Sequence, residues 1–141
     1  MPALSAWTVR AALGWLAAAA VVGALLLSRQ SLGHPEWGAL IPAHAEMMMV
    51  GWMMQLAFGV AHWILPRRGG GDGRGATLPV LLVVLALNLG VLLVVLGAVL
   101  PGRILEGAGA LGFAAQGIPR IRAAGWGATG KAGDLVKLGS K

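Results

Sequence analysis

Cysteine and tyrosine are both absent from this chain, and charged residues are scarce. The lack of cysteine excludes disulfides, cysteine-ligated zinc or iron–sulfur sites and a thiol nucleophile, and the lack of tyrosine excludes tyrosyl chemistry. Only 11% of the 141 residues are charged, whereas soluble domains contain about 25%. Hydrophobic residues make up 57% of the chain, and its mean hydropathy is +0.78. This composition predicts an integral membrane protein.

Four apolar segments divide the chain, and a helix that crosses a bilayer needs about 20 mostly apolar residues. The predicted membrane helices cover residues 7–28, 40–65, 77–100 and 103–124. Pro101-Gly102 is predicted to form the tight turn before the last helix, and residues 125–141 a flexible basic tail. The fourth segment is rich in glycine, which favours insertion by close packing against its neighbours. The predicted fold is therefore all-α, with four transmembrane helices in an antiparallel bundle.

The basic residues are distributed unevenly over the two sides that four spans define. Nine of the eleven lie on the side of both termini and the 67–75 loop, and only Arg29 and Arg103 lie on the other. Because loops rich in Lys and Arg stay in the cytoplasm, we expect cytoplasmic termini, with the bacterial inner membrane as the location. The net charge of +6 is then explained by topology, and we expect the bilayer rather than nucleic acid as partner.

The second predicted helix contains unusual polar residues. Ionisable side chains cost roughly 2.5–3.5 kcal/mol each at the centre of a membrane helix, so their presence indicates a function. At about 100° per residue, one stripe of the helix gathers His44, Met48, Gly51, Gln55, Gly59 and His62. We expect this stripe to face the bundle interior. The two histidines lie roughly 27 Å apart along the axis at ~1.5 Å per residue, so they cannot bind the same metal within one chain.

Three other polar residues have simpler interpretations. His62, beside Trp63, is predicted to anchor the helix at the membrane interface. Glu46 is predicted to pair with Arg29 or Arg103 or to be protonated, and Asn88 to form an interhelical hydrogen bond. No nucleophile–base pair or carboxylate pair is expected at a plausible depth, which disfavours hydrolase chemistry.

The segment HAEMMMVGWMMQLAFGVAHWILPRR resembles the second transmembrane helix of haem-copper oxidase catalytic subunits, especially the cbb-type oxidases and the related nitric oxide reductases. His44 stands where that family has a ligand of low-spin haem b, near the outer face. Phe58 matches the family's phenylalanine, His62-Trp63 its aromatic pair and Leu65-Pro66-Arg67 its closing motif. The resemblance covers about 25 of the 141 residues.

The resemblance implies a small haem-copper-oxidase-like membrane protein that supports electron transfer in a respiratory complex. His44 would be an axial ligand of a b-type haem, with Gly51 and Gln55 beside the cofactor. The family's catalytic subunits have more helices and further histidines, whereas this chain has none after His62, so it is not a complete oxidase or reductase, and no catalytic residue is predicted. The second axial ligand would come from a second copy in a homo-oligomer, from another subunit or from His34. The competing hypothesis is a non-catalytic structural or assembly subunit without a cofactor.

The basic asymmetry predicts the topology in a form that reporter fusions can check. A reporter after Gly71 or at Lys141 should read cytoplasmic, and one at Gly33 should read external, because basic loops are retained inside. An external reading at Gly71 would contradict the four-span arrangement and reverse the depth of His44.

Overall fold

A computed structural model of the chain describes residues 2–32, 38, 40–65 and 77–121, and within these ranges it contains helices and no strand. Helix α1 spans Ala3–Leu32, α2 Leu40–Ile64, α3 Thr77–Val95 and α4 Val99–Gly117, followed by a 3-10 turn at Ile118–Arg120. The all-helical prediction is confirmed. The predicted tail 125–141 and the last residues of the predicted fourth helix lie outside the described residues.

Three of the described helices are long and apolar enough to cross a membrane. They are α1 over Ala3–Ser28, α2 over Leu40–Ile64 and α3 over Leu78–Val95, with mean hydropathies of 2.1, 1.3 and 2.9. Large apolar side chains cover the outside of the bundle, including Leu27, Leu96, Leu100 and Leu111, which are more than 70% exposed. Apolar surface of this extent marks a contact with lipid or with another protein.

The four helices form two closely packed antiparallel pairs, α1 with α2 and α3 with α4. In the first pair the end of α1 meets the start of α2, where Gly23 contacts His44, and the start of α1 meets Gly59. Contacts of α2 with α3 join the pairs around a core of Ala19, Met47, Val50, Val83, Leu87 and Val91. Phe58 of α2 stacks on Phe113 of α4, with ring centroids 3.9 Å apart.

The middle of α2 is a π-helix rather than an α-helix. It covers Met47–Met54, between α-helical turns at Leu40–Glu46 and Gln55–Ile64. Met47, Val50 and Gly51 are its buried residues. Such wide turns are rare in proteins and often occur near functional sites. Nothing in the residue pattern predicted this segment.

The connection between α3 and α4 lies earlier in the chain than predicted. Helix α3 ends at Val95, and the N–H groups of Gly97 and Ala98 donate to carbonyls of its last turn at 3.0 and 2.8 Å. Gly97 has a φ of +92°, a conformation that glycine adopts without a steric penalty. The prediction of a turn at Pro101-Gly102 is wrong, because both residues lie in the first turn of α4, where a proline needs no N–H partner.

Helices α3 and α4 approach each other through their glycines. A Cβ added at Gly102 would lie 2.8 Å from the carbonyl oxygen of Gly90, and one added at Gly90 would lie 2.7 Å from Cγ of Glu106. Further along, Gly109 packs against Leu87, and Gly112 against Val83. Small residues that allow backbones to touch are the usual basis of helix association in membranes.

This packing predicts that Gly109→Leu and Gly112→Leu destabilise the protein. A Cβ at either position already lies 3.0 Å from a side-chain carbon of α3, and overpacking of this kind costs about 1–3 kcal/mol. The measurement is the free energy of unfolding in detergent. Gly107→Leu is the matched control, because nothing lies within 4 Å of a Cβ there. Equal stability of the three variants would show that α4 does not depend on close packing against α3.

Candidate functional site

His44 lies near the start of α2, on the side that faces α1. Its Nδ1 is 2.9 Å from the carbonyl oxygen of Ala19. Because a carbonyl only accepts hydrogen bonds, Nδ1 carries the hydrogen, and the neutral ring keeps its lone pair on Nε2. Gly23 provides the space for the ring, since a Cβ there would lie 2.9 Å from Cε1 of His44. Helix α1 therefore fixes the tautomer of His44 and leaves Nε2 available as a ligand atom.

A groove of about 570 Å³ runs along the outer surface of α1 and α2 beside His44. Its lining consists of Ala20, Gly23, Ala24, Leu26, Leu27, Ile41 and His44. The size falls within the range of small-molecule sites, roughly 300–1,000 Å³. Every lining residue except His44 is apolar, and three of them are alanine or glycine. The groove thus offers an apolar lining with a single imidazole.

Gly51 and Gln55, which were predicted beside the cofactor, lie in the bundle interior and not among the residues that line this groove. Gly51 supports the indole ring of Trp15, whose Cγ would lie 2.8 Å from an added Cβ. Gln55 is fully buried. With Gly59 and His62 also buried, the prediction that the polar stripe of α2 faces inward is confirmed from Gly51 onward.

Three side chains form a hydrogen-bond network that connects α1, α2 and α3. The indole N–H of Trp15 donates to Oδ1 of Asn88 at 2.9 Å, and Nδ2 of Asn88 donates to Oε1 of Gln55 at 3.0 Å. Nδ2 also donates to the carbonyl of Val84 within α3 at 2.8 Å. The predicted interhelical hydrogen bond of Asn88 is confirmed. These amides are satisfied by one another, which gives them a structural role at the centre of the bundle.

A second cluster lies at the end of the bundle where α2 and α4 begin. Arg103 forms ion pairs with Glu46 at 2.6 Å and with Glu106 at 3.0 Å. The guanidinium is half-exposed, whereas both glutamates are more than nine-tenths buried. Of the two pairings predicted for Glu46, the one with Arg103 is confirmed. No carboxylate pair was expected at a plausible depth, but α4 brings Glu106 to the same guanidinium as Glu46 at this end of the bundle.

The opposite end of the bundle is closed by Arg120 rather than by an exposed histidine. Arg120 is buried and donates to the carbonyl oxygens of His62 and Leu65, at 3.4 and 2.9 Å, so it caps the end of α2. Its Nη1 lies 3.4 Å from Nδ1 of His62. His62 is only 7% exposed. His62 is thus held by the turn that follows α4, and its place at a membrane interface stays a prediction.

Comparisons with protein-family models, with curated proteins and with solved structures found no match. The described residues also contain no group of three or more His, Cys, Asp or Glu that could hold a metal ion. A haem needs fewer ligands from the protein than a metal ion held by side chains alone, because the protein supplies only the axial ligands of the haem iron.

The network predicts non-additive effects of substitution. Asn88→Leu should lower the free energy of unfolding by about 1–3 kcal/mol, because it leaves buried polar groups of Gln55 and Trp15 without a partner. Adding Gln55→Leu to this variant should lower the free energy of unfolding by less than Gln55→Leu does in the parent. The reason is that two leucines leave fewer buried polar groups without a hydrogen-bond partner. The free energy of unfolding in detergent, measured for the two single variants and the double variant, tests both effects. Leu89→Ala, at a half-exposed position on the same helix, is the control. Strict additivity would contradict the network.

Proposed function

We propose that this chain is a small four-helix membrane protein that holds a b-type haem through His44 and supports electron transfer within a respiratory complex. The single observation that carries this proposal is the geometry of His44. Its Nδ1 is occupied by a backbone carbonyl at 2.9 Å, and its Nε2 is left as the ligand atom. Metal-ligating histidines are commonly oriented by such a bond from the other ring nitrogen.

Membrane insertion of all four helices is supported by the bundle's surface and interior. Three helices meet the length and apolarity that a span requires. Helix α4 is less apolar, but its glycines pack it against α3 and its charged residues Arg103 and Glu106 lie near the end of the bundle. The location in the bacterial inner membrane, with both termini in the cytoplasm, rests on the basic asymmetry of the sequence.

The groove beside His44 is suited to a haem. Its small residues, Ala20, Gly23 and Ala24, leave room for a flat macrocycle against α1, and Leu27 and Ile41 provide apolar contacts. Haem would supply one-electron redox chemistry. The protein's part is to hold the iron at Nε2 of His44 and to keep the imidazole in one tautomer through Ala19.

The second axial ligand would come from outside the described part of this chain. The other described histidine, His62, is buried near Arg120 at the opposite end of the bundle. His34, the remaining histidine, lies outside the described residues. The groove faces outward, so His44 of a second copy or a residue of another subunit would approach the same haem. A homo-oligomer or a larger respiratory assembly is thus part of the proposal.

The experiment is an absorption spectrum of the purified protein, expressed with adequate haem and with its native partners present. The parent should show a b-type Soret band, and His44→Ala should abolish it. Gly23→Leu should also weaken the band, because its side chain enters the groove and displaces the imidazole. Gly14→Leu is the matched control on α1, since nothing lies within 4 Å of a Cβ there. His62→Ala should keep the band.

A colourless parent would end the haem proposal. The function left standing would be that of a structural or assembly subunit, for which the apolar outer surface of the bundle is the supporting observation.

A further inference from the structure

Arg10 is the one charged residue in the apolar stretch of α1 over Ala3–Ser28, and it is exposed on the outside of the bundle. It lies about 10 Å from the start of the helix at Ala3, at ~1.5 Å per residue. Charged side chains of membrane helices usually face the bundle interior, because the hydrocarbon of the bilayer offers them no partner. A long basic side chain on the outside can instead extend toward the nearer end of its helix.

The guanidinium of Arg10 extends in that direction. Its Cζ lies over the ring of Trp7, 5.5 Å from the ring centroid, and Trp7 stands about one turn closer to the start of α1. A cation within about 6 Å of an indole centroid is attracted to the face of the ring. Because Trp7 is itself 65% exposed, the two side chains form a cation held on an indole at the surface of the bundle.

Exposed tryptophan marks this end of the bundle as a membrane interface. Of the tryptophans that the structure describes, Trp7 and Trp63 are the most exposed, at 65% and 48%. Trp63 lies in the last turn of α2, and α2 packs beside the start of α1 through Gly59. Tryptophan collects at the depth of the lipid headgroups. Arg10 is therefore directed toward the headgroup layer.

No described residue offers the guanidinium of Arg10 an ion pair or a hydrogen bond. Both described glutamates pair with Arg103 at the opposite end of the bundle. A guanidinium has five N–H donors, and an indole face supplies none of the oxygen acceptors that they prefer. The acceptor and the balancing negative charge are thus expected from outside the described part of the chain.

We propose that Arg10 and Trp7 form a binding site for the phosphate group of an anionic phospholipid, in the leaflet around the start of α1 and the end of α2. A guanidinium presents paired N–H donors that match two oxygens of a phosphate, and the indole restricts where the guanidinium can lie. An anionic lipid is preferred to a zwitterionic one, because no described carboxylate balances the charge of Arg10.

This site rests on the membrane placement in the proposed function and does not depend on haem. That placement puts the start of α1 in the cytoplasmic leaflet, which contains anionic lipids that attract basic residues close to the membrane surface. The rest of the net charge of +6 also attracts anionic lipid, but diffusely. A test must therefore separate one bound lipid from the diffuse attraction.

Electron paramagnetic resonance of spin-labelled lipids provides that test. The full chain is reconstituted in phosphatidylcholine bilayers that contain a trace of phosphatidylglycerol or phosphatidylcholine with a label on the acyl chain. The fraction of label with restricted motion gives the relative affinity of the protein for the two lipids. The measurement is made in 1 M NaCl, where the Debye length is only about 3 Å and diffuse attraction is screened.

The parent should prefer phosphatidylglycerol, and Arg10→Gln should lower this preference by roughly fivefold, because it removes the only charged donor of the site. Trp7→Leu should lower the preference by a smaller factor, since the cation loses its indole. Lys137→Gln is the matched control, because it removes the same single charge from the net +6. This control should keep the preference of the parent.

A parent that restricts both labels equally would overturn the lipid site and leave the membrane placement standing. Retention of the preference in Arg10→Gln, or an equal loss in Lys137→Gln, would also overturn the site. A parent that restricts neither label would overturn the membrane placement and the site together. Both substituted side chains of the site are exposed, so these variants leave the packing of the bundle unchanged.

Discussion

The amide of Asn88 is the point at which directed hydrogen bonds join three helices in the middle of the bundle. The two helix pairs are also joined at either end, by the ion pair of Arg103 with Glu46 and by the hydrogen bond of Arg120 to the carbonyl of Leu65. Asn88 accepts from Trp15 of α1 and donates to Gln55 of α2, so it fixes the register of three helices at one point. A polar contact of this kind contributes little energy in a membrane, averaging about 0.6 kcal/mol, but it has a direction, which apolar packing lacks.

The interior stripe of α2 and the presence of an interhelical hydrogen bond at Asn88 were predictable because each follows from the polar residues of a single helix. A polar residue in an apolar helix must face inward, and its partner must be another polar residue at similar depth.

The cluster around Arg103 was not predictable in the same way. Glu46 and Glu106 are 60 positions apart (106 − 46), and only the parallel run of α2 and α4 brings them to one guanidinium. The spacing of Arg103 and Glu106, three residues on one helix, was the available signal. The π-helical segment at Met47–Met54 had no such signal in the residue pattern.

The chemistry of the molecule is concentrated at one end. His44 and the Glu46 cluster both lie where α2 begins, but they face different neighbours, α1 and α4 respectively. The other end carries Arg120 as a cap on α2 and contributes stability. Two side chains only two positions apart on α2, His44 and Glu46, are thus held by opposite sides of the bundle.

The three-residue connection between α3 and α4 bears on the proposed insertion of α4 into a membrane. Helix α4 is the least apolar of the four, with Arg103 and Glu106 in its first two turns, and it would partition weakly by itself. Gly97 folds it back onto α3 immediately, and α3 is the most apolar span of the chain. In the proposed membrane placement, the two helices would insert as a single hairpin, in which α3 supplies the free energy of transfer and α4 is carried with it. The glycine in the turn would thereby make a helix of modest hydropathy compatible with the bilayer.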